Sequence, residues 1–565
     1  MNNNIRTLIA CFLSLFVLIA WQYFFPAENL IKHSDNKEAQ EVKEDTKVIE
    51  KSSALEEQDE LKLREDIIVS EYDADKRVMI NNKYITGSIN LIGARIDDIT
   101  LSHYKQTIKK DSTDVLLLSP SSTEHVYFAE FGWISPDATL ELPNKNTIWT
   151  ADKKELKPNN PVTLQWVNAQ GVIFEVKFKL DYRYMFSVEQ NVSNLPKKIT
   201  MNSYALINRA EGSARSDFII HEGAIGVFDE KLQEISYKDI RKKGDIRYNT
   251  KKGWVGFSDK YWLVSIIPEH SAGFDARLAK FDTSLGIRYQ TDAVLKLKKN
   301  SKDVYTSKYK LFAGAKKIDL LDYYENKYDI YLFDRAVDFG VLYFITKPIF
   351  IALNYFHSLV GNFGIAILLL TVVIKILLFP LAFKGFKGMN RLKDLQPQMA
   401  KLKESYGDDP ATFQKELMAL YKKEKVNPIS GCLPLLLQMP IFFALYKVLY
   451  VTIEMRHAYF FGWIKDLSAP DPTTIFNLFG LIPWQPPGFL MIGVLPIIMA
   501  ITLFVQQKLN PEPTDPMQAK VMKMLPIIFV FMFASFPSGL VLYWSWSNVL
   551  SITQQIFIKR LTRRA

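Results

Sequence analysis

The chain has 565 residues, 48% of them hydrophobic, with 70 Lys and Arg against 60 Asp and Glu and only two cysteines. This length exceeds that of one ordinary domain. Cys11 and Cys432 both lie in apolar segments, which excludes a disulfide framework. A net charge of +10 is also found in nucleic-acid-binding proteins. In this chain the excess of Lys and Arg is better explained by its distribution, which is that of signals that orient membrane spans. No specific nucleic-acid sequence is expected as a partner.

The first apolar run covers residues 5–25, with Arg6 near its start and Trp21 and Tyr23 near its end. Aromatic residues at one end of such a run are typical of a membrane interface. No small-x-small cleavage site follows. The sequence therefore predicts that residues 1–26 form an uncleaved signal-anchor helix with a cytoplasmic N-terminus, so that the next residues are exported.

Three further segments precede the membrane core. Residues 27–66 contain no Phe, Trp or Tyr and are rich in Glu and Lys, which predicts a flexible charged linker. In residues 67–330, short apolar runs alternate with polar residues, as from Phe174 to Leu180, and turn residues separate the runs. This pattern predicts an all-β antiparallel sandwich. Residues 331–357 are rich in aromatics and predict an amphipathic helix in the outer interface.

Residues 358–560 predict an α-helical membrane core that follows the exported domain. Five apolar segments are long enough, or nearly so, to cross a hydrocarbon core of about 30 Å; they are residues 359–383, 429–451, 489–505, 521–536 and 540–558. With the anchor helix they make six spans. The predicted fold class is a multi-domain membrane protein with a six-span helical core and an all-β exported domain.

The Lys and Arg distribution predicts the orientation of these spans. The connection 384–428 contains ten Lys and Arg, and four more lie in the tail from Lys559 to Arg564, whereas the connection 454–486 has only Arg456 and Lys465. Positive charge accumulates on the cytoplasmic side. Both termini, including the basic tail 561–565, are therefore predicted to be cytoplasmic.

Lys375 is the most informative residue, because it lies within the 21 otherwise apolar residues 363–383. Placing a lysine near a bilayer centre costs about 2.5–3.5 kcal/mol on insertion scales. The charge should therefore face water or a partner inside the bundle. One alternative is a structural ion pair, but no Asp or Glu lies deep in another predicted span. The sharper hypothesis is a water-containing groove lined by Lys375.

Other polar residues in the spans are candidates for the lining of that groove: Thr371, Gln438, Gln506, Asn548 and Ser551. Thr371 precedes Lys375 by four residues and shares its helix face. The last span carries a polar stripe that includes Asn548 and Ser551. The alternative is that such serines and amides only hold membrane helices together.

The connection 384–428 predicts a helical hairpin. Gly407 and Asp408 are followed by Asp409 as an N-cap and Pro410 as the first helical residue. Lys422, Lys423 and Lys425 belong to its basic surface, for which RNA or a ribosome is a suitable partner. The alternative is a solvated charged face that serves only as an orientation signal.

Recognisable catalytic motifs are missing from the sequence. It contains no G-x-x-x-x-G-K-[ST], H-E-x-x-H or G-x-S-x-G pattern, and its seven histidines are scattered without metal-ligand spacing. The sequence thus predicts a protein that is not an enzyme, with no cofactor and no metal.

Three motifs resemble signatures of the YidC family of membrane protein insertases: residues 421–442 (YKKEKVNPISGCLPLLLQMPIF), 514–518 (TDPMQ) and 536–543 (FPSGLVLY). The resemblance covers about residues 335–560. An exported β domain after an uncleaved anchor resembles the Gram-negative branch, in which that domain is a periplasmic β-supersandwich. The resemblance implies a bacterial inner-membrane location.

The family resemblance also implies site residues and partners. A single groove arginine of the family falls on Lys375, which is a departure, and substrate contacts fall on Met439, Pro440, Phe442, Tyr543 and Trp544. The hairpin resembles a cytoplasmic region required for insertion. Implied partners are nascent membrane proteins, the Sec translocon (SecYEG and SecDF), the ribosome and membrane lipids.

The expected function is therefore that of an insertase and chaperone for nascent inner-membrane proteins, acting alone or with the Sec translocon. A transporter or channel with an anion site at Lys375 is the alternative, although internal repeats are not visible. A membrane-tethered carbohydrate enzyme is a third hypothesis, which rests only on the occurrence of β-supersandwich domains in sugar mutarotases.

Overall fold

The computed structural model describes residues 61–196, 199–211, 221–269, 273–299, 304–407, 409–426, 433–482, 484, 486–487, 491–510 and 516–564. Two compact units divide this part of the chain between Asp338 and Phe339. They are called the β unit and the helical unit. The predicted signal anchor and most of the predicted linker lie outside the described residues.

The β unit contains twenty strands in its described part. They are β1 (Arg77–Asn81), β2 (Ile85–Asn90), β3 (Arg95–Lys105), β4 (Asp114–Leu118), β5 (Tyr127–Ile134), β6 (Thr150–Ala151), β7 (Glu155–Leu156), β8 (Val162–Val167), β9 (Ile173–Leu180), β10 (Met185–Ser193), β11 (Asn202–Ala210), β12 (Gly223–Phe228), β13 (Lys231–Ser236), β14 (Ile246–Thr250), β15 (Gly253–Ser258), β16 (Trp262–Pro268), β17 (Phe274–Thr283), β18 (Gly286–Lys296), β19 (Lys298–Lys299) and β20 (Tyr305–Ala315).

The strands form two ten-stranded sheets. The first has the order β14-β17-β18-β11-β5-β3-β2-β1-β7, with β4 beside β3; the second has the order β13-β12-β15-β16-β20-β10-β9-β8-β6, with β19 beside β20. Side chains from both sheets pack together, because Phe131 of β5 lies 5.8 Å from Phe178 of β9, measured between ring centroids. Alternate residues of β9 are buried, as its period of two predicts. The β-sandwich prediction is confirmed.

Short helices extend the β unit beyond its predicted limits. Helix α1 (Arg64–Asp73) begins inside the predicted linker, where Arg64 Nε donates to Asp98 Oδ1 at 3.0 Å. Two more helices are α2 (Tyr237–Lys243) and α3 (Ile318–Tyr328), and a 3-10 helix covers Phe333–Ala336. Phe333 packs edge-on against Trp254 at 5.3 Å between ring centroids. This contact explains why the unit continues past the predicted limit at residue 330.

The helical unit has nine α-helices among its described residues. They are α4 (Tyr343–Val360), α5 (Phe363–Leu377), α6 (Phe379–Asp394), α7 (Gln396–Tyr406), α8 (Pro410–Lys423), α9 (Leu433–Val451), α10 (Val494–Leu509), α11 (Pro516–Phe533) and α12 (Ser538–Arg564). The predicted interfacial helix therefore begins at Tyr343 and not at residue 331. It ends at Gly361, which adopts a left-handed φ of 68°.

The predicted span 359–383 is broken at Leu378. Helices α5 and α6 meet there at 67°, because Pro380 lacks the N–H that would continue the helical ladder. Taken singly, no helix in the described part is both long and apolar enough to cross a membrane, whereas α5 and α6 pass that test as a bent pair. The six-span count therefore stays a prediction.

Helix α12 is central to the helical unit, since it packs against α5, α6, α9 and α10. Helix α4 packs against α5 and α9, and α10 packs against α11. Close approach near the start of α5 requires Gly364, because a Cβ there would lie 2.0 Å from Phe460 Cδ2. These contacts bring the first half of α9 and the middle of α12 to the C-terminal end of α5.

Candidate functional site

Lys375 lies in the last turn of α5 and bonds side chains from two other helices. Its Nζ donates to Ser551 Oγ of α12 at 2.7 Å and to Gln438 Oε1 of α9 at 3.2 Å. A cation near a helix C-terminus is favoured by the helix dipole. The break at Leu378 thus ends the helix beside its one charged residue.

Gln438 connects the lysine to a second pair of groups on α12. Its Nε2 donates to Tyr543 Oη at 2.6 Å and to Ser547 Oγ at 3.0 Å. The amide therefore presents its oxygen to the ammonium and its nitrogen to two hydroxyls. This arrangement fixes the rotamer of Gln438 and uses both ends of the amide.

The partners of the Lys375 ammonium are neutral. Lys375 forms no ion pair with any residue of the described ranges, and its hydrogen-bond partners are one amide oxygen and one hydroxyl. Hydrogen bonds of this kind orient a charge without neutralising it. Among the described residues, the Lys375 ammonium thus has no counter-charge at the point where α5, α9 and α12 meet.

The α12 side of this network has a spacing of four residues. Tyr543, Ser547 and Ser551 share one face of the helix, and each is less than one tenth exposed. Gln554 Nε2 donates to the Lys375 backbone oxygen at 3.1 Å. Tyr543 was predicted to contact substrate, and Ser547 belongs to the polar stripe predicted for the last span; the i, i+4 spacing relates the two residues.

Three residues predicted to line the groove make no hydrogen bond to Lys375 among the described residues. Thr371 Oγ1 donates to the Ile367 backbone oxygen at 2.6 Å. Asn548 Nδ2 donates to Thr502 Oγ1 of α10 at 3.1 Å. Gln506 Oε1 is buried without a hydrogen-bond partner among the described residues. Asn548 therefore connects α12 to α10, and none of the three donates to or accepts from the Lys375 ammonium among the described residues. Their place in the groove lining stays a prediction.

The residues predicted to contact substrate divide into two environments. Met439 is 40% exposed and Tyr543 is 1% exposed. Phe442 lies edge-on to Trp544 at 4.7 Å between ring centroids, and Trp544 lies 5.0 Å from Phe533 of α11. Pro440 lies inside α9, next to Met439. An aromatic cluster thus adjoins the polar network, while Met439 is available at the surface.

The predicted hairpin is formed by α7 and α8. Asp409 caps α8, because its Oδ1 accepts from Ala411 N at 3.1 Å and from Thr412 N at 3.3 Å, and Pro410 opens the helix. Asp408 lies outside the described residues. Lys422, Lys423 and Lys425 are exposed. A small core stabilises the hairpin; its buried members are Leu392, Leu395, Met399 and Val426.

One group of carboxylates in the described residues has the proximity of metal ligands. Asp322, Glu325 and Asp334 of the β unit offer oxygens within 4.8 Å of one another. Glu325 Oε2 accepts a hydrogen bond from Asp334 N at 3.1 Å, and burial raises the pKa of Glu325. This local bond accounts for the position of Glu325. The expectation of no metal stays a prediction.

Comparison with known proteins covers both units. The family model described as "60Kd inner membrane protein" matches residues 355–565, and the model described as "YidC periplasmic domain" matches residues 77–352. The membrane protein insertase YidC of Rickettsia akari (strain Hartford) is 50% identical over 570 residues, which cover 99% of this chain and 100% of the relative. The chain belongs to the YidC family.

A second relative agrees with this result. The insertase of Rickettsia bellii (strain OSU 85-389) is 48% identical over 570 residues, with 100% of both chains covered. A crystal structure of an active YidC insertase with its first transmembrane domain resolved aligns with 85% of this chain and 92% of its own, at 18% identity and a TM-score of 0.35. Membership of the YidC family makes the chain an inner-membrane protein with a periplasmic domain.

Proposed function

We propose that this YidC-family chain is a membrane protein insertase and chaperone. It inserts and folds nascent inner-membrane proteins, alone or with the Sec translocon, through a hydrophilic groove that contains Lys375. The observation that carries the proposal is the positive charge at the end of α5, whose partners Gln438 and Ser551 are neutral. Relatives that are 50% identical over the whole chain bear the name membrane protein insertase.

The first step is electrostatic capture. A nascent segment enters the groove from the cytoplasm, and its acidic or polar flank is drawn towards Lys375. Two opposite charges about 4 Å apart attract by about 4 kcal/mol at an effective dielectric constant of 20. Because no carboxylate of the described residues neutralises Lys375, this attraction remains available to the substrate. Water in the groove lowers the desolvation cost of moving the flank.

The second step is release of the apolar segment into lipid between α5 and α9. Met439, on the α9 surface next to the polar network, is 40% exposed and would contact the moving segment. Burial of apolar surface contributes about 25 cal/mol per Å². This free energy drives insertion, so the mechanism includes no covalent step and, for small proteins, no ATP hydrolysis.

Lysine in place of the arginine of the family changes the chemistry of the groove. Lysine keeps the positive charge, but it lacks the planar five-donor fork that binds a carboxylate through two parallel hydrogen bonds. The two bonds that Lys375 makes to Gln438 and Ser551 leave one ammonium proton for a substrate. We therefore expect charge attraction to matter more than bidentate geometry.

The proposal includes topology and partners. Six spans place both termini in the cytoplasm and the β unit in the periplasm, and the exposed lysines of the α7–α8 hairpin face the ribosome. Membrane lipids surround the apolar helices. The asymmetry of Lys and Arg between the connections 384–428 and 454–486 supports this orientation.

Depletion and rescue with Lys375→Ala, Lys375→Glu and Lys375→Arg tests the function. Insertion of a small single-span protein with an acidic tail should fall at least about tenfold for Ala, equivalent to about 1.4 kcal/mol. It should fall further for Glu and recover for Arg. Lys384→Ala, at an exposed lysine of α6, is the matched control and should leave insertion unchanged.

Equal insertion by all three variants would remove the charge from the mechanism. The transporter alternative makes a different prediction, since it requires flux of small anions into liposomes that contain no substrate protein. Such a flux, lost in Lys375→Ala while insertion continues, would contradict the proposed function.

A further inference from the structure

The connection before α10 is a loop whose two ends are joined by hydrogen bonds. Ile475 N donates to the Ile492 backbone oxygen at 3.2 Å. Val494 N donates to Thr473 Oγ1 at 3.0 Å, and Leu495 N donates to Asp471 Oδ2 at 2.8 Å. Asp471 is 4% exposed. The buried carboxylate therefore caps α10 and holds both ends of the loop together.

Two residues of the loop have an unfavourable backbone conformation, and their apolar side chains are exposed. Leu478 and Phe479 have φ values of 50° and 59°, in a region that costs of order 1–3 kcal/mol for each residue other than glycine. Phe479 N donates to the Thr474 backbone oxygen at 2.9 Å, and Ile482 N donates to that of Asn477 at 3.0 Å. These bonds maintain the backbone despite its cost.

The side chains at the end of this loop are large, apolar and exposed. Leu478 is 53% exposed, Phe479 56%, Leu481 83% and Trp484 47%. Full burial of one such side chain contributes about 1.5–3 kcal/mol. Soluble proteins rarely expose large apolar patches, and those that occur mark interaction sites for proteins or membranes. We call these four residues the apolar loop tip.

The surroundings of the apolar loop tip favour lipid over a protein partner. No charged residue occurs from residue 472 to residue 507, so the loop has no charged residue of its own for the polar rim typical of a protein interface. It leads directly into α10, where Ile501 is 57% exposed and Phe504 is 44% exposed. The exposed apolar surface of the helix thus continues, along the chain, into the loop.

The position along the chain identifies the leaflet. The α7–α8 hairpin precedes α9 and the loop follows it, so the two are separated by the 19 residues of α9, about 28 Å of helix. With the hairpin in the cytoplasm, the loop lies at the outer end of the core. This step rests on the proposed function, which supplies the membrane orientation.

We propose that the apolar loop tip inserts into the outer leaflet of the lipid bilayer. Trp484 and Phe479 supply the aromatic rings that membrane interfaces favour. The position of the loop constrains α10, because Thr473 and Asp471 accept hydrogen bonds from the first two residues of that helix. The loop thereby sets the depth of α10, a helix of only 16 residues, beside α12.

A fluorescent label with a lipid-borne quencher tests this insertion. Cys11 and Cys432 are replaced by Ser, and NBD is attached to the full chain at Leu481→Cys in phosphatidylethanolamine–phosphatidylglycerol vesicles. We expect several-fold stronger quenching by shallow doxyl lipids than by aqueous iodide. Lys465→Cys, an exposed polar position of the same connection, is the matched control and should show the reverse preference.

Two other outcomes would overturn the proposal. Quenching of the Leu481 label by iodide alone means that the tip is in water, and protection from both quenchers means that protein covers it, either the β unit or a second copy. A label at Ile501→Cys distinguishes failure of the loop insertion from failure of the proposed membrane placement. Lipid quenching at Ile501 but not at Leu481 rejects only the loop insertion, whereas its absence at both positions also rejects the proposed membrane placement.

Discussion

Lys316 in the β unit and Lys375 in the helical unit are lysines with similar immediate partners and different surroundings. Lys316 Nζ bonds Ser258 Oγ at 2.9 Å, and Lys375 Nζ bonds Ser551 Oγ at 2.7 Å. Carboxylates of Asp259, Asp338, Glu222 and Glu234 act on Lys316, whereas no described carboxylate pairs with Lys375. The β unit surrounds its buried cation with carboxylates, and the helical unit leaves its charge available.

Buried arginines of the β unit follow the same rule as Lys316. Arg77 Nη1 lies 2.8 Å from Asp97 Oδ1, and Arg277 Nε lies 3.0 Å from Asp292 Oδ2. A buried charge without a counter-charge is costly, so a structural unit pairs it. We infer that the charge of Lys375 is left without a counter-charge because it has a function. Substitutions that change the surroundings of Lys375, or that remove the charge of Lys316, test this inference.

The largest effect is expected from giving Lys375 a carboxylate. In Ser551→Asp the new carboxylate lies within reach of the ammonium and neutralises it, so insertion of a substrate with an acidic tail should fall at least about tenfold, or about 1.4 kcal/mol. Depletion and rescue measures this fall. The control Ser551→Asn introduces a similar volume without charge. Equal loss in both variants would show that shape, and not charge, limits the site.

The second effect concerns the pH dependence of stability in the β unit. Burial, the largest cause, lowers the pKa of Lys316 from 10.5 to about 8. Below pH 8 the folded state carries the full cost of the buried charge, about 3 kcal/mol. Between pH 8 and 10.5 the unfolded state binds more protons, so stability rises with pH.

Lys316→Met removes this cost. It should raise the free energy of unfolding at pH 7 by up to about 3 kcal/mol, less about 1 kcal/mol for the hydrogen bond lost by Ser258. The gain should shrink towards pH 10.5. Urea titration with a short protease pulse measures cleavage within the β unit at each pH, and exposed Lys231→Met is the control. A gain that is independent of pH would contradict the assignment.

The smallest effect is expected on the free energy of unfolding, when each of two glutamines of the helical unit is replaced by leucine. Gln438→Leu removes hydrogen bonds to Lys375, Tyr543 and Ser547 and should lower the free energy of unfolding by about 1–3 kcal/mol. Gln506→Leu removes an amide whose oxygen has no partner among the described residues, so it should be neutral or stabilising. Thermal unfolding in detergent distinguishes them. Equal destabilisation would mean that Gln506 bonds water as strongly as Gln438 bonds its partners.

Local patterns predicted much of the fold. The period of two from Phe174 to Leu180 predicted a strand with one buried face, and β9 has that burial pattern. Asp409 was predicted as an N-cap from its place before Pro410, and it caps α8. Both predictions depend on residues within a few positions of each other, where spacing alone decides the geometry.

Other elements could not be predicted from local spacing. The break at Leu378 falls inside an apolar run, where a proline is compatible with a kink or with a helix end. The first three residues of α1 were predicted as linker because they are polar, but Arg64 bonds Asp98 of β3, 34 residues away. Asn548 was predicted to line the groove, but it bonds Thr502 of α10. For Arg64 and Asn548 a distant partner decided the outcome.

The sequence by itself determined that a cation lies in an apolar helix, that basic residues cluster on two connections and that an all-β domain precedes the helices, because composition and period are local properties. Only the tertiary structure decided which polar groups meet that cation. Gln438 and Ser551 lie 63 and 176 residues from Lys375. Several serines and amides share the same spacing on α12, and only helix packing selects the ones that reach the ammonium.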